Sequence, residues 1–314
     1  MGRLRGCAGA RIGLRRAHVS RRQATDALSG IPGRGLTTGI TWLDADLLAS
    51  VRGLSAPSPH PGIDRAQVAL ALGADLAFVA GGQNEDVGGI GELHDVDVAA
   101  IWTVEGVFGR AAGGLGWAEA LRLTAADPGA LAARLDAALH GALRDARAGI
   151  EAGADALLVA DDLASPSGPL LSPDYALDAL LPCYRRLAAE ARSEGIPAVF
   201  HSDGEIRVLI PALARAGFTA VHLAGLGAPA FSANATAARH AGLVVLGSIS
   251  AAALPQDAAA QGERAAALAL SLGAVIVCDD GGITTAEQVA GLERALERAR
   301  EAFREGEGRG AQRD

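Results

Sequence analysis

Two short stretches carry the residues best suited to chemistry. GADALLVADD from Gly153 ends in Asp161 and Asp162, and GIPAVFHSDG from Gly195 carries His201 and Asp203 at its end. His201 and Asp203 are two apart, so on an extended strand both side chains point the same way. That pairing suits a metal, or an imidazole oriented by a carboxylate for acid–base work. Adjacent residues on a strand face opposite sides, so only one of Asp161 and Asp162 can point with them. Cys278, Asp279 and Asp280 repeat the pattern later in the chain, and Asp44, Asp46 and Glu105 add acids near other apolar runs. Together they form an acidic ring that would hold a metal, a cationic ligand or N–H donors. Each acid also has a plain structural reading as a helix cap. His222, inside an apolar run, reads as a core histidine or a substrate contact, and Cys278 as a thiolate ligand or a small buried apolar residue.

The elements that must position these residues follow a repeated phrase: a Gly, a polar residue or Ala, then four to six apolar residues ending in Gly, Asp or His. It recurs at Gly73, Gly153, Gly195, Ala216, Ala241 and Leu272, and GLTTGITWLD and VAAIWTVEG bring the strand candidates to eight. Amphipathic Ala-, Leu- and Arg-rich segments alternate with them. Continuous apolar strands alternating with helices form a parallel sheet. Eight such units predict a (β/α)8 barrel, whose chemistry sits where the strands end. No GxGxxG follows the first strand, which disfavours a dinucleotide-binding open sheet. The loop LASPSGPLLSPD after Asp162 is long enough to cover a pocket, and Ser172 and Pro173 are placed to start the next helix. Pro182 is expected to disturb that helix.

Composition narrows the function classes. The 314-residue chain is 50% hydrophobic with a net charge of -8, and all 28 basic residues are Arg. Without Lys there is no Schiff-base nucleophile and no P-loop lysine. Scattered basic residues argue against a nucleic-acid groove. Three widely spaced Cys fit a reducing compartment, and the longest apolar run is too short for a bilayer, so a cytoplasmic protein is expected. Residues 1–30 hold seven Arg and no acid before Asp26. They read as a disordered extension, with an organelle-targeting segment as the alternative. A single barrel domain over residues 31–300 and a polar tail over 301–314 complete the expected organisation.

The run from Ala160 to Gly225, with ADDLASPSGPLLSPDYALDALLPCYRRL followed by FHSDGE, resembles the uroporphyrinogen decarboxylase superfamily, and the likeness extends from about Glu105 to near Arg300. That resemblance implies a (β/α)8 barrel and either decarboxylation of a porphyrinogen or cobalamin-dependent methyl transfer. The decarboxylase branch carries an R-x-x-G-R segment near its first strand, where this chain has GLTTGITWLDAD, and a functional His where Gly281 stands. The zinc-dependent methyltransferases carry Cys where Asp203 stands and a second Cys at Gly281, with Cys278 three residues earlier. The resemblance therefore implies zinc on His201, Asp203 and Cys278, a small methylated substrate, and a partner protein carrying a corrinoid. His201 and Asp203 would act with Asp162 in catalysis, and Asp161, Glu105, Asp280 and His222 would contact substrate. Two alternatives stand beside this expectation: decarboxylation of a porphyrinogen without a cofactor, for which Arg110 and Arg207 are the available anion clamps, and a barrel that binds a ligand or a corrinoid protein without catalysis.

Overall fold

The computed structural model describes residues 19–31, 33, 35–41, 61–81, 87–278 and 283–310, with side chains not described at 61–65 and 310. Eight parallel strands close a barrel: β1 (Thr38–Ile40), β2 (Leu76–Gly81), β3 (Ala99–Glu105), β4 (Ala156–Ala160), β5 (Ala198–Asp203), β6 (Ala220–Ala224), β7 (Val244–Ile249) and β8 (Val275–Cys278). Each pairs with its neighbours in chain order, and β1 closes the ring on β8. All eight apolar runs read from the sequence are barrel strands.

Period-two alternation divides the strand side chains between two cores. Leu76, Phe78, Ile101, Leu158, Val199, Leu246 and Val277 fill the barrel interior. Trp102, Val104, Leu157, Val159, Phe200, Val221, Val245 and Ile276 pack outward against the helices. The interior is thus a packed core rather than a channel.

The opposite end is closed by α1 (Arg21–Leu28), which corrects the expected 1–30 extension. Residues 1–18 lie outside the described residues, but Val19 and the helix that follows it are part of the fold. Ser20 and Gln23 form a reciprocal capping box, and Ala24 and Leu28 are buried in the interior core. The Val19 amide donates to Asp75 Oδ1 at 3.0 Å, and Arg21 Nε lies 3.5 Å from Asp155 Oδ1. Two well-placed apolar residues outweigh an Arg-rich composition because they enter a site already lined by strand side chains. The expected tail is corrected likewise: the last helix, Ala286–Gly310, runs past residue 301, and Phe303 packs against the outer core.

After β4 the chain forms a short hairpin, Ala164–Ser165 against Gly168–Pro169, and then enters a helix where Ser172 accepts from the Tyr175 amide at 3.1 Å. Pro182 has the expected effect in a specific form. Its ring cannot donate to the turn before it, and the chain takes up the defect as a π turn, Ala176–Leu180, with the Leu181 amide donating to Ala176 O. The helix then continues as α2 (Leu181–Ser193).

Leu28→Ala should cost about 3 kcal/mol, as for a fully buried leucine in a site that cannot collapse. Urea unfolding checks this, and a loss under about 0.5 kcal/mol would show that α1 is not integral to the barrel.

Candidate metal centre

Strands β4 and β5 are neighbours, with Ala160 opposite His201. This register brings the ends of both strands to one spot on the rim. Asp162 Oδ1 lies 3.6 Å from His201 Nε2, and Asp203 Oδ1 lies 3.9 Å from the same nitrogen. The Asp203 amide donates to Asp162 Oδ1 at 2.9 Å. One ligand atom from each residue falls within 4.8 Å of the others. In a tetrahedral site with bonds near 2.1 Å, ligand atoms stand about 3.4 Å apart, so the three donors need only small movements to share a cation. The imidazole is 2% exposed while the two carboxylates are 52% and 43% exposed, which leaves the outer side open to water or substrate. A donor set of one imidazole and two carboxylates fits zinc or a harder divalent ion.

The surroundings fix the histidine. His201 and His222 are cross-strand partners with stacked rings, 4.7 Å between centroids and 29° between planes. Phe78 meets His222 edge-on at 5.3 Å. His222 is fully buried, as expected of a core histidine, and supports the His201 ring from inside the barrel. The hairpin lies over the end of β5. The Leu163 amide donates to Ser202 Oγ at 3.0 Å and the Glu205 amide to Ser165 O at 2.9 Å. Gly204, at φ +83°, makes this approach possible, since a Cβ there would stand 2.6 Å from Ser165 O.

Asp161 turns the other way and is corrected from substrate contact to structural anchor. Its carboxylate is buried and accepts from the Phe108 and Gly109 amides, both at 2.8 Å, and from Tyr184 Oη at 2.6 Å. It thereby caps the helix Val107–Ala112, whose N-cap, Gly106, offers no side chain of its own. Burial pushes its pKa up to about 6 against the opposing hydrogen bonds from Tyr184 and the two amides. Tyr184 was not singled out in the sequence; the available signal is a tyrosine on an amphipathic helix, whose hydroxyl must find a partner once buried.

Cys278 is the other correction. It lies on the outward face of β8 with Ile276, packed among helix-facing residues, while Val275 and Val277 face inward. Asp162 takes its place in the donor set. Glu105 is 60% exposed and lies 4.0 Å from Arg110 Nε, apart from the three donors. Arg110 also bridges to Asp145 at 2.8 Å, and Arg207 lies 3.7 Å from Glu205. Asp44, Asp46, Asp279, Asp280 and Gly281 lie outside the described residues.

In the unfolded chain the Asp161 carboxyl ionises near 3.8, and in the folded protein near 6. Between those values the folded state holds a proton that the unfolded chain has released, so this residue's contribution to stability falls as pH rises through that window, by on the order of 3 kcal/mol. Tyr184→Phe removes a hydrogen bond that favours the charged form. It should extend the window above pH 6 and destabilise the protein by about 1.5–3 kcal/mol at pH 8, with a smaller loss at pH 4. Urea midpoints at the two pH values check the sign; equal losses at both would contradict it.

The model of the uroporphyrinogen decarboxylase (URO-D) family matches residues 97–270. Among solved structures, a methyltransferase from Methanosarcina mazei superposes with a TM-score of 0.68 at 18% identity, covering 90% of this chain and 99% of that one. A 3-hexulose-6-phosphate synthase from Salmonella typhimurium matches with a TM-score of 0.42 at 10% identity, over 84% of this chain and 100% of that one. No curated protein matches the sequence. The family match spans more than half of the chain and both strands that carry the donors, and the protein belongs to the uroporphyrinogen decarboxylase family.

Proposed function

We propose that this barrel moves a methyl group between a small methylated compound and a corrinoid carried by a partner protein, with a zinc-type cation held by Asp162, His201 and Asp203. The observation that carries the reading is the convergence of those three donors at the C-terminal rim, where barrel enzymes place their chemistry. The fold likeness to a methyltransferase supports it. When bound, the cation would supply Lewis acidity to the heteroatom bearing the methyl group.

The chain's own residues set the conditions for that step. His201 offers Nε2 from a ring held by His222, so its direction does not depend on the ligand. Asp162 and Asp203 offset the charge of a divalent cation, and their exposure leaves room for a small substrate on the solvent side. The hairpin, fixed to β5 through Ser202 and Glu205, shields one side of the site from water. Porphyrinogen decarboxylation is less well supported, because Arg110 and Arg207, the expected anion clamps, both lie beside acids. A non-catalytic binding barrel leaves the convergence of three metal-competent donors without a purpose.

Metal analysis of the purified protein should find zinc at one equivalent. His201→Ala should lower zinc affinity by more than the roughly 10- to 100-fold seen for outer-shell partners, whereas Cys278→Ala should retain the metal. Methyl transfer to free cob(I)alamin, assayed with methylated thiols, amines and alcohols, should follow metal content. A folded protein that binds no divalent cation, or keeps zinc after His201→Ala, would overturn the reading.

A further inference from the structure

The ladder between β4 and β5 changes partners at the rim. In a parallel pair the hydrogen bonds are evenly spaced and repeat every two residues. The Leu157 amide donates to Pro197 O and the Asp161 amide to His201 O, both at 3.0 Å. The next step of that series would set the Leu163 amide on Asp203 O. A side chain stands between them instead. The Leu163 amide donates to Ser202 Oγ at 3.0 Å, and the same hydroxyl donates to Asp203 O at 2.9 Å. A serine hydroxyl is thus inserted into the ladder, and two hydrogen bonds in series span what one bridges lower down.

The insertion lies between two of the three donors. Leu163 follows Asp162, and Asp203 follows Ser202, so the hydroxyl joins the chain next to one donor and at the other. On its far side β5 keeps its ladder with β6. Ser202 pairs with Leu223 and Asp203 with Ala224, and the Gly204 amide donates to Ala224 O at 3.0 Å. With β5 held there, the added width falls on the segment leaving β4, which carries Asp162. Ser202 alternates with His201 and Asp203 along the strand and therefore faces away from them. Its side chain and that of Leu163 are both buried, so bulk water does not stand in for the hydroxyl, and a buried amide needs a partner.

We propose that Ser202 is a positioning residue: its hydroxyl opens the ladder between β4 and β5 at the rim and thereby holds Asp162 at the distance from His201 and Asp203 that admits a cation. The proposal rests on the metal-centre reading for the purpose of that spacing. Without the hydroxyl the Leu163 amide closes onto Asp203 O, the ladder gains one step, and Asp162 shifts against the two donors of β5. The hydroxyl touches neither cation nor substrate and acts through the backbone alone.

Crystal structures of metal-free wild type and Ser202→Ala, with cobalt(II) titrations of both followed by visible absorption, test this. In Ser202→Ala the Leu163 amide should donate directly to Asp203 O, with the Asp162 carboxylate displaced relative to His201 Nε2. Cobalt(II) should bind about 10- to 100-fold more weakly, as when other residues that orient ligands are removed, and its absorption bands should move with the ligand geometry. Ser202→Thr keeps the hydroxyl and should restore the wild-type spectrum. A serine with a merely structural role would lower the thermal midpoint of Ser202→Ala and leave the spectrum of the bound ion as it was. That result, or unchanged distances from Asp162 and Asp203 to His201, would overturn the proposal. The metal reading is judged separately: wild-type protein that takes up no cobalt(II) counts against the cation, while the carboxylate positions in the two crystal structures still decide the role of Ser202.

Discussion

The parallel pairing of β4 with β5 in one register is the constraint on which the site depends. With Ala160 opposite His201, the two strands end together, and the alternation of side chains decides which residues meet. A shift of one residue would turn His201 outward into the helical layer and bring a neighbour into its place. The register is held by apolar packing on both faces. Leu158 and Val199 lie in the interior core, and Leu157, Val159 and Phe200 lie in the outer one. Hydrophobic burial that says nothing about chemistry therefore sets the distances among Asp162, His201 and Asp203.

Asp161 shows how the same alternation assigns opposite tasks to adjacent acids. One carboxylate is taken out of water, given three hydrogen bonds, and used to cap the helix that follows β3. Its neighbour stays half in solvent beside an imidazole. Burying the first is unfavourable enough to raise its pKa to about 6, yet it ties β3, β4 and α2 together at the rim. The second keeps a charge that a cation can use. Two exposed carboxylates around one buried imidazole form a centre whose charge balance improves when a divalent ion arrives.

Much of this was legible in the sequence. Eight apolar runs separated by helical periods are a strong signal, since each strand is buried on both faces and no polar alternation blurs it. His201 and Asp203 were legible because strand spacing is local. Cys278 was misassigned because chain proximity to an expected ligand position says nothing about which face of β8 it occupies. The role of Asp162 required knowing that β4 and β5 are neighbours, which follows from chain order only once the barrel is accepted. Residues 19–30 were hidden by composition: Arg dominates the average, while Ala24 and Leu28, four apart on one helix face, do the packing.

Gly225 limits how far this arrangement can vary. A residue with a side chain would be strained at φ +64°, and its Cβ would stand 3.2 Å from Asp203 Cγ, so a substitution there would press on one of the three converging side chains. Outward-facing strand residues such as Val221 and Val245 pack against the helices instead, and a volume-conserving change there alters the outer core while leaving the register that sets the three side chains in place.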